Sequence, residues 1–302
     1  MAKTKFPDKE DLINQIMVTS DYVWRNKISR EKLNSWLANF KGEVFSVNYE
    51  QELALWLLVN FVFYNENEVR HLCGTLYREF IHTKIKLNLE NMLVNEKLDQ
   101  IHKEIRFNYL GRSGESGAFL LYYFRKENNL SVNDFVSNLD NLPSEVNEIV
   151  YVDDVTLSAD DESQAFRYLK KDKVSLLEKK ITILTLIASN TAIKFLKEQG
   201  INVITCITLH DRDSCFSKES IIFQSHSDHK EDCKKMTEHY GKKIYKDPLG
   251  FNGGQYTFGF FYNTPDNSLP IFWSRNNEWK PIIERYDKNY GKTKYTTLGR
   301  FI

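Results

Sequence analysis

Four short apolar runs alternate with helical patterns across residues 105–209, and this alternation constrains the fold more than any other feature. The runs are 105–110, 148–152, 181–188 and 202–209, each rich in Ile, Val, Leu or aromatic residues. Between them, 118–125, 160–178 and 190–199 carry the spacing of helices, and Gly200 closes the last one. Strands that are apolar without alternation are buried on both faces. That requires a parallel sheet covered by helices on each side.

The flanks read differently. Residues 8–104 predict helices throughout. Asp8 or Asp11 caps the first. Ser29 opens a second, in which Leu33, Trp36, Leu37 and Phe40 recur at helical spacing before Gly42 stops it. Residues 49–64 are apolar nearly all round, as in a buried central helix, and 65–85 and 87–105 are amphipathic. Beyond the alternating core, 227–240 reads as a polar helix and 255–273 as a β-rich segment, followed by a polar tail. The organisation is therefore a helical region at 1–104, an α/β core at 105–210 and a C-terminal helix plus β segment and tail at 211–302. Trp36, Trp56 and Phe61 are read as core.

Charge and cysteine usage narrow the function classes. Lys and Arg total 41 against 41 Asp and Glu, so no whole-protein field gathers nucleic acid or anionic membrane. The longest apolar stretch, 53–64, is far short of the roughly 20 residues a membrane helix needs. No membrane association is expected. The N-terminal residues turn charged before an apolar run forms, so no leader is expected. Cys73, Cys206, Cys215 and Cys233 follow no regular spacing and read as reduced thiols in a cytoplasmic protein.

Ligands of parallel α/β sheets bind beyond the carboxyl ends of the strands. Two segments occupy that position. In the first, the 148–152 strand delivers Asp153 and Asp154, then a loop through Ser158 and Ala159. Paired carboxylates there accept hydrogen bonds from sugar hydroxyls or hold Mg²⁺ through water. Ser158 and the following N–H groups can face a phosphate. Alternatively, the acids cap the next helix. The second segment is 111–117, with three glycines that admit an anion to the backbone and Arg112 as a cation. An ordinary βα turn has the same composition.

Together these segments resemble the type I phosphoribosyltransferase fold. The resemblance implies that Asp153 and Asp154 contact ribose hydroxyls and hold Mg²⁺, and that Ser158 and Ala159 lie in the turn for the 5′-phosphate. It also places Arg112, Ser113, Gly114 and Ser116 in the pyrophosphate loop. The chain further resembles phosphoribosyltransferase-like domains of bacterial conflict systems, including those found beside retron reverse transcriptases. That similarity is carried by Trp36–Phe40, Ser113-Gly114, the Asp-Asp loop, Pro248–Phe251 and the 262–273 string with its Asn-Thr-Pro-Asp-Asn. It implies an antiviral effector that takes a phosphoribosyl pyrophosphate- or nucleotide-like ligand with Mg²⁺. The alternative is a catalytically degenerate sensor or effector subunit, in complex with another protein and nucleic acid. A metabolic salvage transferase fits the helical extension and the C-terminal segment less well.

One departure separates these readings. Ala159-Asp160-Asp161-Glu162 stands where the family places small phosphate-binding residues. At ~4 Å and an effective dielectric near 20, each like-charge pair costs about 4 kcal/mol before screening. Cations or Mg²⁺ must offset that.

Three weaker patterns complete the reading. His226, His229 and Cys233, with Asp232 and Cys215, either bind zinc or form a solvated helix face. His210-Asp211-Arg212-Asp213 either supplies a base or nucleobase contact or is a loop of paired charges. The basic, aromatic tail 275–302 either stacks on nucleic acid or docks on its own protein. The turn at 263–270 is read as a rigid loop that helps close a pocket.

Overall fold

The computed structural model describes residues 6–88, 94–111, 114–158, 168–169 and 179–286. The chain opens with α1 (Lys9–Tyr22), whose N-terminus is capped by the Asp8 carboxylate accepting the Glu10 N–H at 2.9 Å. Helix α2 (Arg30–Leu37) is capped by Ser29 and ends before Gly42. Gly42 lies in the following loop and donates its N–H to the buried Glu50 carboxylate. Helix α3 (Val47–Val59) is apolar and mostly buried.

The expected helix through residue 64 stops at Val59. Val62–Tyr64 is instead a strand, β1. Its sequence suits either state. The deciding partner lies far along the chain, at β6 described below. Helices α4 (Glu66–Asn88) and α5 (Val94–Glu104) then lead into the central sheet.

The central strands are β2 (Ile105–Tyr109), β3 (Glu148–Thr156), β4 (Lys180–Ser189) and β5 (Asn202–Leu209), with α6 (Ser116–Glu127) after β2 and α7 (Asn190–Glu198) after β4. All pairs are parallel, in the order β2-β3-β4-β5. A parallel bridge between Phe107 and Phe135 adds a rudimentary edge on the far side of β2. The chain therefore leaves β2 through α6 to one side, then returns to build β3, β4 and β5 on the other. This reversal creates a topological switch point between β2 and β3. Helix α6 packs Leu120 and Phe124 on one sheet face with Phe107, Val150 and Val152. Helix α7 packs Leu196 on the other with Ile149, Tyr151 and Ile183. A single crossover hand requires the two helices to take opposite faces. The expected helix at 160–178 lies outside the described residues, apart from 168–169.

The rest is α8 (Lys230–Ile244), β6 (Phe258–Phe260) and α9 (Pro270–Trp273). Only three residues of the expected β-rich stretch at 255–273 are strand. Pro270 begins a helix, where its fixed φ is pre-organised. β6 pairs in parallel with β1, matching Val62 to Phe258 and Tyr64 to Phe260. The N-terminal helices share one core with the C-terminal residues: Leu33, Trp36 and Leu53 pack with Tyr240, Phe272 and Ile283. Trp36 is fully buried and donates its indole N–H to the Ile271 carbonyl at 2.8 Å. The N-terminal helices and the described C-terminal residues thus share one core.

Candidate functional site

A cavity of about 270 Å³ opens at the switch point. Strand β2 ends at Tyr109, paired with Val152, whereas β3 continues along β4 to Thr156. Asp153 and Asp154 therefore lie within β3, beyond the end of its other neighbour, and not in a loop after the strand. Beside them, Leu110 at the end of β2 and Glu115 and Ser116 at the start of α6 line the cavity.

Gly117 makes this approach possible. A Cβ there would sit 2.6 Å from the Leu110 carbonyl oxygen and 3.2 Å from Asp153 Oδ1. Its role is close packing of helix onto strand.

The two acids differ in surroundings. Asp154 is only 4% exposed. A buried carboxylate is costly unless its oxygens are satisfied. Here Oδ1 accepts the Ser116 hydroxyl at 3.2 Å and the Val155 N–H at 3.0 Å, while Oδ2 accepts the Tyr262 hydroxyl at 3.3 Å. Burial pushes the Asp154 carboxyl above its ordinary range, against the pull of Ser116, Asp153, Val155 and Tyr262. Burial, and then the Asp154 charge, pushes the Tyr262 hydroxyl well above its ordinary value, so it remains a donor. Asp153 is half-buried in the cavity wall and accepts the Asp154 N–H at 3.0 Å.

The facing wall comes from the C-terminal residues Tyr245, Lys246, Phe251, Asn263, Pro265, Asp266, Asn267 and Arg285. The 263–267 turn closes the cavity as its composition suggested. Arg285 holds that turn, donating to the Thr264 carbonyl and to Asp266 Oδ2 at 3.0 Å, with its guanidinium over the Trp273 ring. The Lys246 ammonium lies over Phe251, 5.5 Å from the ring centroid. The lining thus carries Glu115, Asp153 and Asp154 at the sheet end, and Lys246 and the paired Arg285 and Asp266 on the C-terminal wall.

The family model PRTase-CE, a phosphoribosyltransferase-like domain family, matches residues 33–285, which takes in every lining residue from Leu110 to Arg285. The chain belongs to the PRTase-CE family. No curated protein and no solved structure matches it.

In this PRTase-CE chain, Asp153, Asp154, Ser116 and Ser158 come together in the cavity wall. Gly114 is exposed with φ +92° and does not line it. Arg112, Ser113, Ala159 and the acidic run 160–162 lie outside the described residues. The sequence reading did not single out Tyr245, Lys246, Glu115 or Arg285 as site residues. The Pro248–Phe251 and Asn-Thr-Pro-Asp-Asn strings carried the available signal, and they flank or form that wall.

The weaker patterns resolve otherwise. Among the described residues no group of three or more His, Cys, Asp or Glu is placed to hold a metal. His229 Nδ1 meets the Tyr49 hydroxyl at 2.7 Å, and Cys233 is a buried thiol. The His210–Asp213 turn caps itself, Asp213 Oδ2 accepting the His210 N–H at 2.8 Å, and it does not line the cavity. The first part of the tail docks on the protein: Trp279 is buried and donates to the Ile271 carbonyl at 3.0 Å. Residues 287–302 lie outside the described set. Trp56 is half-buried, its indole donating to Ile222. Among the described residues, no helix is long and apolar enough to cross a membrane.

Proposed function

We propose that this PRTase-CE protein binds a phosphoribosyl pyrophosphate- or nucleotide-like ligand with Mg²⁺ in the switch-point cavity, as the effector of a bacterial antiviral defence system in the cytoplasm. The observation that carries the ligand reading is the polarity of the cavity. Asp153 and Asp154 stand at the carboxyl end of β3, and Lys246 and Arg285 join the same lining from the C-terminal segment, which supports a ligand with both hydroxyls and phosphate. Its volume, about 270 Å³, is near the lower end of the range for ligand pockets, roughly 300–1,000 Å³. That suits one sugar phosphate better than a dinucleotide. The defence role rests on the resemblance carried by the 262–273 string.

The donor set fits Mg²⁺, which usually keeps several waters and uses one or two carboxylates plus substrate phosphates. Asp153 would hold it, with Asp154 packed behind, and when bound it neutralises phosphate charge. The chain's own residues do the rest. The acids orient the ribose and favour positive charge developing at its C1 carbon, while the opposite wall receives the departing anion. A second reading, a non-catalytic sensor or effector subunit in a protein–nucleic acid complex such as a retron, is favoured by one observation. Glu115, Asp153, Asp154 and Asp266 outnumber Lys246 and Arg285 in the lining.

Calorimetric titration with phosphoribosyl pyrophosphate, with and without Mg²⁺, tests the ligand reading. Saturable, Mg²⁺-dependent binding that Asp153→Asn removes is the expected result. An absence of binding at millimolar ligand would overturn it. Binding without release of pyrophosphate, across candidate nucleobase acceptors, would move the choice to the second reading.

A further inference from the structure

We propose that the two acids divide the work: Asp153 contacts the ligand, and Asp154, tied between Ser116 and Tyr262, is a positioning residue that orients it. The inference rests on the ligand-binding reading above.

Successive residues of a strand project to opposite faces. Val150 and Val152 belong to the core beneath α6, and Ile149 and Tyr151 to the core beneath α7. Asp154 follows the first pair toward α6 and Tyr262, while Asp153 Oδ1 lies by the first turn of α6, 3.2 Å from where a Gly117 Cβ would sit. An ionised carboxylate offers about four lone-pair sites. Asp154 commits them to Ser116, Val155 and Tyr262, with the Asp153 carboxyl also against it. At 4% exposure it has almost no surface to give a ligand. Both acids border the cavity, but Asp153 is only half-buried and so has carboxylate surface to offer there.

Tyr262 is built to hold this arrangement. Its ring stacks parallel on Phe260, with centroids 5.4 Å apart and planes 6° apart. Phe119 lies 4.9 Å away and Phe261 stands perpendicular at 5.1 Å. Phe260 is in turn fixed by the β1–β6 pair. The hydroxyl is therefore aimed by a frame that does not depend on Asp154. Removing it leaves the ring packed and frees one carboxylate oxygen to turn.

Two measurements on the full chain test this. The first is carbodiimide labelling of the ligand-free protein with peptide mapping. Asp153 is expected to label much faster than Asp154, and Tyr262→Phe to raise the Asp154 rate while the chain keeps its native circular dichroism. The second is a phosphoribosyl pyrophosphate–Mg²⁺ titration of the variants. Asp153→Asn should weaken binding about 100-fold, and Asp154→Asn and Tyr262→Phe about 10-fold each. The double variant Asp154→Asn/Tyr262→Phe should lose no more than either single change, since both act through one contact. Equal labelling of the two acids overturns the proposal, as does a double variant whose losses add. If the wild-type protein binds no ligand, the functional reading falls, while the labelling still decides which acid faces the cavity.

Discussion

Tyr262 donates its hydroxyl to Asp154 at 3.3 Å, across 108 positions of sequence. One member joins an aromatic stack beside β6, and the other belongs to the central β3 strand. The contact ties the C-terminal wall of the cavity to its acidic end, so perturbing either side should register at the other.

The tightest junction is at Gly117. Replacing it with Ala adds a Cβ 2.6 Å from the Leu110 carbonyl, a backbone atom that cannot swing away. Helix propensity favours Ala by up to about 1 kcal/mol, but overpacking costs about 1–3 kcal/mol. The clash wins. Gly117→Ala is expected to lower stability in denaturant titration and to weaken ligand binding more than Gly74→Ala, whose Cβ meets only the Glu127 side chain at 3.8 Å.

Glu50 should give a readable acid limit to stability. It is fully buried and accepts N–H groups from Gly42, Val44 and Phe45 and the Tyr240 hydroxyl at 2.6 Å. Burial alone would raise its carboxyl, but Tyr240 and the backbone donors outweigh burial and hold it below its ordinary value. A depressed folded value means the contribution is complete above the unfolded value, about 4.3, and fades as pH falls through the folded one. Glu50→Gln should cost about 1–3 kcal/mol at neutral pH. The melting-temperature gap between wild type and variant should narrow on acidification below about pH 4.3. A gap that stays constant down to pH 3 contradicts the assignment.

Arg285 is expected to act as a clamp on the cavity wall. Lys cannot reproduce its two-pronged contact with Thr264 and Asp266. Arg285→Lys should lower stability by about 1–2 kcal/mol and weaken ligand binding. Equal affinity in calorimetry would show that the 263–267 turn holds without it.

Lys246 should matter to ligand affinity and little to stability. Its side chain is 72% exposed beside Asp247. Lys246→Ala should leave the melting temperature within about 1 °C, since exposed ion pairs contribute roughly 0–1 kcal/mol. It should weaken binding of inorganic pyrophosphate and reduce its salt dependence. Unchanged binding would remove Lys246 from the anion end of the cavity.

The residues themselves determined the α/β core. β5 runs over the stretch read from the sequence, and β2 and β4 end within a residue of theirs, because a buried parallel strand must be apolar on both faces and says so locally. The acid pair was legible for the same reason: carboxylates at the end of such a strand stand out against its composition. Tertiary structure decided what depended on distant partners. Val62–Tyr64 became a strand because β6 arrives beside it, and β3 ran on past its expected end because β4 pairs with it to Thr156. Lys246 and Arg285 carry no local mark of a site. They line the cavity because the C-terminal segment shares a core with the N-terminal helices, which carries them to the same cavity as Asp153 and Asp154, more than 90 positions earlier. Local periodicity reports burial, but only packing between remote segments reports which charges face each other.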